Sequence, residues 1–366
     1  MKIDLITMHR VFNYGSVLQT YATVTYLKNM GNEVEVIDYI PKRFRNKEVF
    51  TYVNPRRNKS IFHKIVFIIV SFPGRLLHKI LFTNFIKRSY KLTSKSYYSE
   101  EDLKKDLPKA DIYITGSDQV WNSGFENKVD RNFFLDFVPK NKKRIAYAAS
   151  FGKNKLDEYE IEEVKELISK YDKISVREDS AIEILKNLGR KDAEHVIDPT
   201  LLLSKEEWEK KMGKHLTKER YVLIYQLNPN EKIIEYARKI ADEKNIKVAK
   251  FGWDYLRPKG VDINFAYKRP EDFLSAIKYA EFIVTDSFHG TIFSLIFNKM
   301  FICVAPPKYS TRLESILNEV ELNDRLVKGD IELTKILRPI NYKKINKHFI
   351  KAREKAKAYL KKAINN

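Results

Sequence analysis

The stretch Phe282-Ile-Val-Thr-Asp-Ser-Phe-His-Gly-Thr291 places a histidine where an apolar strand gives way to an apolar helix. Residues 282–285 form a short hydrophobic run of strand type, and 290–298 read as the opening of a helix. His289 therefore falls at a strand's carboxyl edge, the side on which open α/β sheets bind their ligands. An imidazole titrates near neutrality and can take or give a proton there. Ser287, Gly290 and Thr291 border a helix N-terminus whose unpaired N–H groups suit an anion. The competing reading is plainer: Asp286 or Ser287 caps the helix, and His289 is only hydrogen-bonded nearby.

Two arginines are placed to join the histidine. Arg177 ends the run Lys173-Ile-Ser-Val-Arg, so its guanidinium is expected to project from a sheet's carboxyl edge unless Glu178 or Asp179 holds it. Arg312, in Ser310-Thr-Arg-Leu, stands at a helix start just after Pro306-Pro307, where a surface arginine is the ordinary outcome. The planar fork of either suits a carboxylate or a phosphate. Asn13-Tyr-Gly15 precedes another helix and offers an amide, a glycine and open N–H groups, or merely a turn. Ser117 and Asp118 follow the apolar run 112–115, where Asp118 either accepts a hydroxyl proton or closes an Asx turn. Trp121 offers a face to a sugar, though a buried tryptophan is the commoner outcome. His9 and Asn122 are lesser candidates at strand ends. The histidines are scattered, and no His-x-x-x-His, Asp-x-Asp or Cys-x-x-Cys occurs, so no metal site is expected.

Such residues need a scaffold of alternating strands and helices. The chain opens with a strand at 2–7, a loop, a helix at 16–30 capped by Gly31 and a strand at 34–39, a βαβ unit. Further strands are expected at 110–115, 144–150, 173–177 and 195–198, with helices at 158–170 and 180–188. After a polar connector at 204–220 comes a second series: strand 221–226, helix 231–244, strand 247–251, helix 270–278 and the histidine-bearing unit. Two doubly wound α/β domains follow from this, one at 1–210 with a basic helical insertion at 42–95, the other at 211–335. The lysine-rich helix within 336–366 is expected to fold back on the N-terminal half.

At 366 residues the chain exceeds what one core ordinarily fills. Lys plus Arg number 68 against 48 Asp plus Glu, a formal net charge of +20. That excess fits nucleic acid, an anionic membrane face or small anionic substrates. No helix-turn-helix, zinc-finger or RRM signature occurs, which sets nucleic acid aside. The single cysteine, Cys303, lies in an apolar run, excludes an internal disulfide and reads as core. Met1 opens a strand pattern, not a secretory signal, so a cytoplasmic protein is expected. Residues 58–90 combine cations (Lys59, Lys64, Arg75, Lys79, Lys87, Arg88) with apolar residues at helical spacing. The longest apolar stretch, 65–72, falls short of the roughly 20 residues that cross a bilayer. The expectation is an interfacial helix pair, broken at Pro73-Gly74 and resting on anionic headgroups, against helices that simply pack on the domain.

Read in order, Asn13-Tyr-Gly-Ser-Val-Leu-Gln-Thr-Tyr-Ala22, Gly116-Ser-Asp-Gln-Val-Trp-Asn122, Ala146-Tyr-Ala-Ala-Ser-Phe-Gly152, Ser175-Val-Arg-Glu178, Asp198-Pro-Thr200 and Asp286-Ser-Phe-His-Gly290 resemble the polysaccharide pyruvyl transferase family. The resemblance implies a GT-B-like fold, two Rossmann-like doubly wound domains facing each other across a cleft. It implies transfer of a pyruvyl group from phosphoenolpyruvate to two hydroxyls of a sugar, making a ketal on a cell-surface or capsular polysaccharide precursor. The N-terminal domain is then the acceptor side and the C-terminal domain the donor side. His289 is the expected general acid or base with Asp118 beside it. Arg177 and Arg312 are expected to hold the donor's carboxylate and phosphate, with Asn13, Gly15, Ser117, Asn122, Ser287, Gly290 and Thr291 around the substrates. Asp198-Pro-Thr200 reads as a turn, more structural than chemical. The expected partners are phosphoenolpyruvate, a glycan acceptor on a lipid or nucleotide carrier, and the inner face of the plasma membrane in peripheral contact; no cofactor is expected.

One position departs from the family pattern. Members commonly carry an arginine two residues before the histidine, where this chain has Ser287. Either another arginine such as Arg312 supplies the charge, or the donor differs. Two further readings stand beside the first: a GT-B glycosyltransferase whose nucleotide sugar rests its diphosphate on the His289 helix, and a glycan-binding scaffold without chemistry.

Overall fold

A computed structural model describes residues 1–51, 60–254, 256–306, 310–330 and 332–365. The first half runs β1 (Lys2–Ile6), α1 (Tyr14–Asn29), β2 (Glu33–Tyr39), α2 (Asn46–Thr51), α3 (Ile61–Ser89), β3 (Leu92–Tyr97), α4 (Glu100–Lys105) and β4 (Ile112–Thr115). It continues with β5 (Lys143–Ala149), α5 (Ile161–Ser169), β6 (Lys173–Val176), α6 (Asp179–Asn187) and β7 (Glu194–His195). The second half comprises α7 (Lys205–Lys211), β8 (Tyr221–Tyr225), α8 (Glu231–Lys244), β9 (Lys247–Gly252), β10 (Ile263–Ala266), α9 (Pro270–Tyr279) and β11 (Phe282–Thr285). It ends in α10 (Phe288–Ile296), β12 (Met300–Val304), α11 (Thr311–Glu319), β13 (Leu326–Val327), α12 (Leu333–Ile336) and α13 (Tyr342–Asn365).

The strands form two parallel sheets, ordered β3-β2-β1-β4-β5-β6-β7 and β10-β9-β8-β11-β12-β13. In each, the chain winds one way from its first strand and then reverses at the fourth. The reversals lie between β1 and β4, paired Ile3 with Ile112 through Ile6 with Thr115, and between β8 and β11, paired Val222 with Phe282 through Tyr225 with Thr285. Such switch points are where open sheets leave a crevice at their carboxyl ends. Of the strands beside them, β4, β8 and β11 are buried throughout and β1 everywhere but Lys2, as parallel sheets covered on both faces require.

One apolar cluster runs continuously through both halves, joining Leu5, Tyr14 and Ile114 to Leu223, Tyr225, Ile283 and Phe293. At its centre Tyr14, on the first turn of α1, stacks on Trp253 at 4.7 Å and on Phe273 at 5.1 Å, and its hydroxyl donates to the Lys268 carbonyl at 2.9 Å. The C-terminal helix α13 returns to the first sheet, where the Tyr359 hydroxyl donates to the Ala146 carbonyl at 2.8 Å and Arg353 to Leu201 at 2.6 Å.

The region at 58–90 overturns its expectation. Residues 61–89 form one helix that passes through Pro73, not a pair broken there. A proline forfeits one backbone bond, and the packing of Phe82, Phe85 and Ile86 in the core outweighs that loss. The helix is also long and apolar enough to cross a membrane by length and composition, which the count of its longest uninterrupted apolar run had excluded. Lys59, counted among its cations, and Pro307, before Arg312, lie outside the described residues. The connector at 204–220 holds a helix, α7, begun by a reciprocal Ser204–Glu207 cap.

Candidate active site

The helix carrying the histidine begins two residues earlier than its apolar pattern indicates. Ser287 is its N-cap and accepts from the Gly290 N–H at 3.2 Å, so His289 stands inside the first turn of α10. Gly290 is a glycine because a Cβ there would meet the Thr285 hydroxyl at 2.5 Å. From the other half, α1 presses its first turn onto the imidazole: a Cβ on Gly15 would lie 2.0 Å from His289 Nδ1. Gly15 is therefore a close-packing residue inside a helix, where the sequence had offered a flexible loop glycine. Its N–H is taken by the Asn13 side chain at 2.9 Å, which caps α1.

Of the remaining groups, Asp118 and Arg177 follow β4 and β6, Asp198 lies just beyond β7, and Arg312 stands on α11 of the second half. Asp118 turns in the left-handed region, with φ of 79°. Its carboxylate accepts from Ser16 Oγ at 2.5 Å, from the Gln119 N–H at 2.8 Å and from Arg177 Nη2 at 3.4 Å. Arg177 also donates to Asp198 Oδ2 at 2.8 Å and to Ser117 Oγ at 3.4 Å. That Asp198 oxygen stands 3.9 Å from His289 Nε2. The Phe288 ring stands within cation–π reach of two guanidinium carbons, Arg177 at 4.8 Å and Arg312 at 5.4 Å. With its amide oriented oxygen-first, Gln119 accepts from Arg312 Nε at 3.2 Å.

Charges this dense and this buried shift one another. Burial drives the His289 imidazole down to about 4, against the pull of Asp198 and Asp118. Burial works to raise Asp118, but Arg177, His289 and Arg312 outweigh it and hold the carboxyl at about 2. Asp198 is lowered in the same way by His289 and Arg177 despite its burial. Burial and the facing charge of Arg177 bring Arg312 down to about 10, whereas the surrounding carboxylates raise Arg177. Among the described residues His289 Nε2 has no hydrogen-bond partner. The site thus gathers an imidazole whose burial favours the neutral form, the carboxyls of Asp118 and Asp198 with Glu178 3.6 Å from Arg177, and two guanidinium groups.

His289, Asp118, Arg177, Arg312, Ser117 and Gly15 are brought together here. Ser287 and Asn13 are committed to helix caps, and Thr291 is fully buried. Asn122 caps the turn at Gly124, its side-chain oxygen accepting from the Gly124 N–H at 2.9 Å. His9 Nε2 donates to the Asp38 carboxylate, 3.0 Å away, in a network with Arg10, and takes no part in the site. Trp121 is no sugar platform: its ring is 2% exposed and stacked on Phe134. Cys303 is fully buried. Asp198, read as a structural turn, stands beside the histidine and salt-bridges Arg177; Ser16 and Gln119 were not singled out. The signal for all three was available, since each lies inside or directly beside a quoted motif. The open crevice expected around His289 is closed, because α1 and α10 meet over the ring and leave it 6% exposed.

The fold has solved counterparts. A UDP-N-acetylglucosamine 2-epimerase superposes with a TM-score of 0.54 at 12% identity, over 98% of this chain and 94% of the other. The enzyme of that name from Rickettsia bellii gives 0.53 at 10% identity, over 99% and 94%. The S. aureus MnaA–UDP structure gives 0.50 at 13% identity, over 92% and 85%. At such identities the likeness is one of fold, and it defines the class: a GT-B protein of two Rossmann-like domains. No curated protein matches the sequence. Residues 13–308 match the polysaccharide pyruvyl transferase family model, and the chain belongs to that family.

Proposed function

We propose that this protein transfers the pyruvyl group of phosphoenolpyruvate to two hydroxyls of a sugar in a cell-surface or capsular polysaccharide precursor, forming a ketal. The observation that carries this reading is His289 lying beside Asp198 while two guanidinium groups approach the neighbouring Phe288 ring, at the joint of both sheets. In the proposed reaction one hydroxyl oxygen bonds to C2 of the donor as C3 gains a proton and becomes methyl. The second hydroxyl oxygen then bonds to C2 as the bond from C2 to the phosphate oxygen breaks. Two C–O bonds form and one breaks; of the two hydroxyl protons, one ends on C3 and one on the departing phosphate.

His289 serves as the base for the attacking hydroxyl, its low pKa keeping it neutral at pH 7. The donor's carboxylate and phosphate raise that pKa on binding, which lets the same ring return the proton as an acid. Arg312 stands in for the arginine that Ser287 replaces, and Arg177 positions Asp118 and Asp198. Substrates enter when the two domains part along the seam between α1 and α10.

The nucleotide-sugar alternative rests a diphosphate on the first turn of α10, where the Ser287 side chain already takes the Gly290 N–H at 3.2 Å and α1 lies against the His289 ring. The deciding assay incubates the protein with phosphoenolpyruvate and candidate glycans, following phosphate release and the ketal methyl signal by NMR. Silence with every acceptor, together with turnover of a nucleotide sugar, overturns the proposal.

A further inference from the structure

We propose that α3 lies in the plane of an anionic lipid leaflet, its outer half in the hydrocarbon and its root held on lipid phosphates. Ile61, Phe62, Ile65, Val66, Ile69 and Val70 lead a series of exposed apolar side chains that continues to Ile80, with Phe62 73% and Val70 74% exposed. At about 100° per residue, these positions fall on one half of the helix circumference. A patch of this kind on a soluble surface marks something that covers it.

From Gly74 onward the opposite half of α3 is fixed to protein. Gly74 packs so closely on Tyr267 that a Cβ would lie 2.3 Å from the tyrosine hydroxyl, and His78 meets the Trp253 ring at 3.5 Å. Phe82, Phe85 and Ile86 are in the core. A helix held along one side cannot thread a bilayer, but it can sink the other side into one.

Charge says which surface does the covering. At the root of the exposed face is a cavity of about 310 Å³ lined by Arg10, Arg45, Lys47 and Lys79 and by no carboxylate. Arg10 is balanced by Asp38 at 2.6 Å, whereas Arg45 and Lys79 bond neutral oxygens of Tyr98 and Asn46. A second protein chain would satisfy the apolar half alone; an anionic leaflet satisfies the apolar half and the cations together. The root also leads to the site: Phe82 lies 5.1 Å from Tyr14, whose neighbour Gly15 touches His289. A leaflet held there delivers an acceptor still attached to lipid, a consequence that rests on the pyruvyl-transfer reading, whereas the membrane contact itself does not.

The test uses the full chain with vesicles of phosphatidylcholine alone or mixed with phosphatidylglycerol. Co-sedimentation is expected with the mixed vesicles. The double variant Ile69→Asp/Val70→Asp should weaken it at least ten-fold, and Lys47→Gln/Lys79→Gln several-fold, only where phosphatidylglycerol is present. Val70→Cys, labelled with an environment-sensitive dye, should be quenched by lipids carrying a nitroxide in their acyl chains. Phosphate release with a water-soluble acceptor should be unchanged in the aspartate variant, which separates this proposal from the catalytic one, and circular dichroism checks that it folds. Absent vesicle binding, binding indifferent to the aspartates, or a dimer in sedimentation that the aspartates dissolve would each overturn it.

Discussion

Asp118 and Asp286 occupy matching places in the two halves of the molecule, each just past the strand at which its sheet reverses direction. Their fates differ. Asp118 faces Arg177, and its carboxyl is pressed to about 2. Asp286 accepts the N–H groups of Leu227 and Asn228, both at 2.7 Å, and the Asn228 amide at 2.9 Å, and its burial raises its pKa. Repeated topology supplies two strand edges, and both reach the site: the first through Asp118 facing Arg177, the second through His289 on the helix that follows. The carboxylate of the second edge, Asp286, instead ties a loop to its sheet.

The sharpest way to break this comparison is at the histidine. His289→Gln should lower kcat for ketal formation by about 10²- to 10⁴-fold with the fold retained, as circular dichroism would show. Equal turnover in the variant would remove His289 from the chemistry.

Arg177 and Arg312 separate next. Arg177→Met strands Asp118, Asp198 and Glu178 without their cation and should cost about 3–5 kcal/mol in urea unfolding. Arg312→Met removes a charge that Arg177 repels. It should leave stability within about 1 kcal/mol while raising KM for phosphoenolpyruvate roughly 10- to 100-fold, the loss of one charge-assisted bond. The reverse pattern would exchange their roles.

Acid should reveal the buried imidazole. Its pKa of about 4 in the folded protein lies below the ordinary 6.5, so the unfolded chain binds more protons between those values. The stabilising contribution is whole above pH 6.5 and is lost as pH falls through 4. In denaturant titrations across that window, His289→Gln should flatten the decline by on the order of 3 kcal/mol. A variant with the wild-type slope would mean that the ring is not buried as neutral imidazole.

The smallest effect is at the structural twin. Asp286→Asn weakens the anchoring of the 227–228 loop and should cost about 1–3 kcal/mol, with kcat of the folded protein nearly unchanged. Asp118→Asn should instead depress kcat. Equal losses at both would erase the distinction drawn between the two edges.

Much of this was legible in the chain. Apolar runs with a helix after each mark the strands beside both switch points, and those runs are buried in the sheets. The edge strands β3 and β10 were not legible, because Leu-Thr-Ser-Lys-Ser-Tyr and Ile-Asn-Phe-Ala alternate poorly and are only partly covered. Proline at 73 misled in the other direction, since a local rule about breaking helices gave way to packing several residues further on.

What residue order alone determined is the identity of the chemical groups and the strand ends from which they reach. An apolar run followed by Asp-Ser-Phe-His-Gly has few ways to fold other than strand, cap and helix. What only the tertiary structure decided is which groups meet. Asp198, 91 positions before His289, comes within 3.9 Å of it, and Gly15 lies against its ring from the opposite domain. Contacts at that separation depend on how two sheets are pressed together by one shared apolar core, and no local spacing encodes them.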